Sequence, residues 1–174
     1  MGGTSVRFIL SDIQEHEIRD EYGYDIFEPT VGLEIGGKNI FEEFGERGAK
    51  SVIIMPSIED ALPDCMRMAG LQEHAQLEYL FSFLGTGWGI RLGEERDELE
   101  VVLEVDDSMG PAGVLENGSY PVGRVTVREW IDAVVNLAEN VLDLFWRLNP
   151  RLYAITKGEW FQLHQLQSWL TDKG

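Results

Sequence analysis

Residues 126–150 read TVREWIDAVVNLAENVLDLFWRLNP, and this stretch decides the fold. Thr126 with Glu129 three residues on has the capping-box spacing, at which each side chain satisfies an orphan backbone donor of a starting helix. Trp130, Ile131, Val134, Leu137, Ala138, Val141, Leu142 and Phe145 then recur at three- and four-residue intervals, leaving Asp132, Asn136, Glu139 and Asp143 outward. The pattern predicts a long amphipathic helix that Asn149-Pro150 stops. Beyond it, Thr156 and Glu159 repeat the capping spacing and open a shorter closing helix, with Trp160, Leu163, Leu166, Trp169 and Leu170 as its buried set.

Toward the N-terminus the period shortens to two. Val6, Phe8 and Leu10 predict an opening strand, followed by an acidic, surface-exposed stretch from Asp12 to Glu28. Val31, Leu33 and Ile35 alternate with Gly32 and Glu34, Gly36-Gly37 supplies a turn, and residues 39–44 return as the second arm of a hairpin. Residues 51–55 read as a short β-branched strand. A helix over Ile58–Met68 follows, with Ser57 and Asp60 placed as a capping box and Pro63 shortening or breaking it. Leu77–Leu84, Trp88–Leu92 and Leu99–Val105 read as a three-stranded antiparallel meander, with turns at residues 85–87 and 93–97. The Gly, Pro, Asn and Ser content of residues 106–122 reads as a loop.

Strands first and helices last give an α+β fold: an antiparallel sheet, made of a hairpin plus a three-stranded meander, with the long helix and the shorter closing helix packed on one face. No repeat, low-complexity tract or polar linker divides the chain, so residues 1–174 are expected to form one acidic domain. The lone Cys65 allows no internal disulfide, and the start of the sequence lacks a secretory pattern. A cytoplasmic location is the expectation. No apolar run reaches the roughly 20 residues needed to cross a bilayer.

Of 31 acidic and 14 basic residues, six of each fall at or after Arg124, so that segment is neutral and the first 123 residues carry the whole net charge of −17. Such a potential repels phosphates and anionic lipid and steers cationic partners inward, which argues against direct nucleic-acid binding and against the membrane. Acid concentrates in two places. Glu94, Glu95, Asp97, Glu98, Glu100 and Glu104 lie on one hairpin and run into Asp106 and Asp107, while Asp20, Glu21 and Asp25 flank Tyr22 and Tyr24, aromatics of the kind interfaces favour. These thirteen residues are the expected partner-binding set.

Catalytic patterns are missing. There is no Gly-x-Ser-x-Gly elbow, and Cys65 sits in an apolar helical context that marks it as core. His16, His74 and His164 lack any zinc spacing, and Asp12 with His16 reads as a solvated charged turn. Gly85-Thr86-Gly87-Trp88-Gly89 is followed by strand, not helix, so it reads as a tight turn with Trp88 packed over it rather than a phosphate loop. No cofactor is expected.

In size, acidity and lack of catalytic motif the chain resembles the immunity proteins of bacterial toxin systems, a likeness of composition that transfers no residues. It implies a non-enzymatic protein that neutralises a cationic toxin, such as a nuclease. A DNA-mimicking inhibitor of a nucleic-acid-binding protein would share the physics. A small metal-assisted hydrolase using dispersed carboxylates with His16 or His74 is the alternative from another class, and the neutral tryptophan-rich C-terminal helices suit a homo-oligomer.

Overall fold

A computed structural model describes residues 5–15, 29–50, 54–73, 77–113 and 115–172. Among them the chain has the α+β architecture expected from the sequence, with the hairpin and the meander in two separate antiparallel sheets. Strands β1 (Val6–Ser11) and β2 (Thr30–Ile35) pair from Val6↔Ile35 to Ser11↔Thr30. Two short pieces, β3 (Lys38–Asn39) and β4 (Ala49–Lys50), pair with opposite ends of β2. The second sheet has the order β5 (Glu78–Ser82), β6 (Trp88–Glu95), β7 (Glu98–Val105) and β8 (Gly118–Thr126). The helices are α1 (Ile54–Met68), α2 (Val127–Leu148), α3 (Arg151–Ile155) and α4 (Lys157–Asp172).

The capping box of the long helix forms as its spacing demands: Thr126 Oγ1 accepts from the Glu129 N–H at 3.0 Å, and Glu129 Oε2 accepts from the Thr126 N–H at 3.1 Å. All eight residues of the predicted stripe are buried. Thr126 is at once the last residue of β8 and the cap of α2, and the Val127 N–H reaches back to the Asp97 carbonyl at 2.9 Å. Phe8 of β1, Phe81 of β5 and Trp130 of α2 meet with ring centroids 5.0–6.2 Å apart, joining both sheets to the helices in one core. Of the closing helix, Leu163 and Leu166 are fully buried, and Trp160, Trp169 and Leu170 pack partly against them.

Several local readings need correction. The arm after Gly36-Gly37 pairs only at Lys38–Asn39, and Glu42–Phe44 is a 3-10 turn. Asn39 diverts the chain: its Oδ1 accepts from the Phe41 N–H and its Nδ2 donates to the Arg47 carbonyl, which sends Phe41 inward against Phe83 and Trp88. Ile54 and Met55, read as strand, open α1, while residues 51–53 lie outside the described ones. Pro63 does not break that helix, which runs for 15 residues. A proline in mid-helix costs about 3 kcal/mol, and burial of Met55, Ile58, Ala61, Leu62, Cys65 and Met66 outweighs it.

Ser57 makes no capping box either. It lies inside the helix, and its hydroxyl donates to the Ser82 carbonyl of β5 at 2.5 Å. Thr156 likewise donates to the Leu152 carbonyl at 2.8 Å instead of capping α4. The charged loop at residues 93–97 shrinks to the turn Arg96-Asp97, with Arg96 at φ +61°. The loop after Asp106 ends at Gly118, where β8 begins. Pro121 is tolerated there because β8 is an edge strand, where a missing N–H need cost no ladder bond.

Candidate functional site

The two faces of the second sheet differ in kind. In register, Tyr79↔Leu92↔Val101 and Phe81↔Ile90↔Leu103 line the core face. The opposite face carries the rows Glu78↔Gly93↔Glu100↔Arg124, Leu80↔Arg91↔Val102↔Pro121 and Ser82↔Gly89↔Glu104↔Ser119, ending at Glu95↔Glu98. No helix covers this open face among the described residues. Strand alternation therefore sorts the acidic hairpin. Glu95, Glu98, Glu100 and Glu104 converge on the open face, whereas Glu94 points to the core-side rim, where its carboxylate lies 3.5 Å from the Tyr79 hydroxyl. Burial, with help from Glu94, pushes the Tyr79 phenol up to about 12.

Two residues missed in the sequence reading complete the face. Arg91 bridges Glu104 at 2.7 Å and Glu78 at 3.1 Å, and Arg124 bridges Glu95 at 3.3 Å and Glu98 at 3.4 Å. Glu78, also absent from the expected set, has the same parity as Leu80 and Ser82, so the period of two was the signal that could have placed it. Five carboxylates thus share one surface with two guanidinium groups. Among the described residues no hydrogen bond or ion pair engages the Glu100 or Asp97 side chain. Burial tends to raise the Glu104 carboxyl, yet hydrogen bonds from Ser119 (2.6 Å) and Arg91 hold it below its ordinary range.

Asp97 occupies the β6–β7 turn. Asp106 caps and Asp107 opens a short 3-10 turn (Asp107–Met109): Asp106 accepts from the Ser108 hydroxyl and N–H, which lowers its pKa, and Asp107 accepts from the Asn117 side-chain amide. This turn packs against residues 85–87. A Cβ at Gly87 would sit 2.6 Å from the Asp106 carbonyl oxygen, so only glycine fits, and the segment is the tight turn expected there. Asp20, Glu21, Tyr22, Tyr24 and Asp25 lie outside the described residues.

No family model, curated protein or solved structure matches this chain.

Other chemistry-bearing residues resolve simply. Cys65 is fully buried, and burial pushes its thiol up, out of the range of a reactive thiolate. Asp12 accepts from Thr30 at 2.7 Å and pairs with Arg47 at 2.8 Å. His16 and His74 lie outside the described residues, among which no three His, Cys, Asp or Glu side chains converge to hold a metal ion. No described helix is long and apolar enough to cross a membrane. On the C-terminal helices, Trp146, Tyr153, Trp160 and His164 form a run of neighbouring rings with centroids 5.7–6.1 Å apart.

Proposed function

We propose that this chain is a non-enzymatic acidic binding protein that takes a cationic protein onto the open face of the β5–β8 sheet, and that it serves as an immunity protein neutralising a toxin domain such as a nuclease. The observation that carries the reading is the convergence of Glu78, Glu95, Glu98, Glu100 and Glu104 on one surface where, among the described residues, Arg91 and Arg124 are the cations that pair with them. The two arginines fix carboxylates in place without neutralising the face, and a fixed array costs less ordering on binding. A toxin with a phosphate-binding groove presents the complementary potential, as does a nucleic-acid-binding protein inhibited by mimicry, and the partner itself separates the two.

The test is retention of co-encoded basic proteins on the immobilised chain at low salt. A partner should be retained, should associate roughly tenfold more slowly as rising salt shortens the screening length, and should be released by Asp97→Asn with Glu100→Gln, which break no ion pair among the described residues, at unchanged unfolding midpoint. Retention that ignores both salt and the double substitution would sink the reading.

A second reading concerns the C-terminal helices. We infer that the ring run Trp146–Tyr153–Trp160–His164, with the exposed Ile155 and Phe161, is a self-association surface, because it lies on helices that carry little of the net charge, four basic against six acidic residues over α2–α4.

A further inference from the structure

Beside the acidic face lies an apolar groove of about 350 Å³, floored by Phe83, Trp88 and the glycines of residues 85–89, with Leu80, Leu84 and Met109 on its walls. These three side chains are 52%, 36% and 73% exposed, an unusual cost for large apolar groups on a chain this charged. Gly89 opens the groove. It sits on the outer face between Ser82 and Glu104, where every other residue of β6 with that orientation except Gly93 bears a charged side chain, and a Cβ there would lie 3.2 Å from Leu80 Cδ1. At the lip stand Glu104 and Asp106, both held below their ordinary pKa values by hydrogen bonds.

We propose that this groove receives an apolar or aromatic side chain of the cationic partner, one flanked by lysine or arginine in the partner's own sequence. The proposal rests on the acidic-face reading and adds to it the anchor that charge alone does not provide. Charge complementarity selects the occupant: Glu104 and Asp106 line the groove and the surface beyond Glu104 is the carboxylate array, so the neighbours of an apolar side chain seated there are favoured when basic. Interfaces are commonly held by a few side chains buried in desolvated pockets, with the charged surround steering approach and excluding water. The groove volume suits one leucine, phenylalanine or tryptophan side chain.

Two synthetic peptides test this on the intact chain: acetyl-Lys-Lys-Phe-Lys-Lys-amide and its Phe→Gly counterpart, with binding followed by amide shifts in NMR. The Phe peptide is expected to bind at least about tenfold more tightly, in keeping with burial of one large apolar side chain, and to shift the amides of residues 83–89 and 106–109. Gly89→Val fills the groove without altering charge and should remove that preference while leaving the Gly peptide's binding unchanged. Met109→Ser, on an exposed turn, should weaken it in the same direction and guards against a folding defect at Gly89. Equal binding of both peptides to the unmodified chain overturns the groove proposal and leaves the acidic face intact. Binding of neither at low salt overturns both.

Discussion

Glu59 carries a carboxyl that burial pushes above its ordinary range, with the carboxylates of Glu159 and Asp60 adding to the push. In the folded chain it therefore keeps its proton to higher pH than in the unfolded chain. Its contribution to stability is whole below the ordinary value of about 4.3 and is lost as pH rises through the raised one. Glu59→Gln removes that proton and should flatten the fall of unfolding free energy with pH from about 4 upward, as read by urea titration at a series of pH values. Asp64, raised mainly by burial against the pull of Arg67, keeps part of the slope. Curves that stay parallel would contradict this account. Glu104 and Asp106 act with the opposite sign, their stability being lost as pH falls. At this scale the sequence located the acid but not its partners: that Arg91 lies between Glu78 and Glu104 depends on the register of three strands, which no local spacing states.

Elements were legible where the local rules agreed with one another. The capping box and apolar stripe placed α2 to the residue, because propensity, cap and burial agree there. Replacing Thr126 by Ala should cost about 1 kcal/mol and lower the unfolding midpoint by about 2–4 °C. Thr126→Ser, which keeps the accepting oxygen, should restore most of it, and calorimetry of the pair would expose a cap that contributes nothing. Elsewhere tertiary contacts overrode the local rule. Ser57 and Asp60 have capping spacing, yet the Ser57 hydroxyl is used by β5, and the helix extends beyond it toward the N-terminus. Pro63 sits in mid-helix because the apolar face of α1 is buried on both sides of it. β8 was hidden by its own Gly118, Pro121 and Gly123, residues that read as loop in isolation and are accommodated at a bulged edge beside Val101 and Val102.

On the scale of the whole molecule the division of charge, largely visible in the sequence, sets two surfaces against each other: an acidic sheet face that repels its own copy and an aromatic helical end, α2–α4, whose four basic and six acidic residues leave a formal charge of only −2. Sedimentation velocity at increasing protein concentration should show a dimer that Trp146→Gln with Phe161→Gln returns to monomer, while a monomer throughout removes the self-association reading. That the meander and the hairpin would form separate sheets was not written locally, since it follows from how Phe8, Phe81 and Trp130 meet across the core. The junction at Thr126 joins these scales. Because one residue ends β8 and begins α2, with the Val127 amide tied to Asp97, a protease finds no linker at this junction. A tag spliced there would have to undo the cap to be accommodated. Parting β8 from α2 at this point means breaking the hydrogen bonds that start the helix.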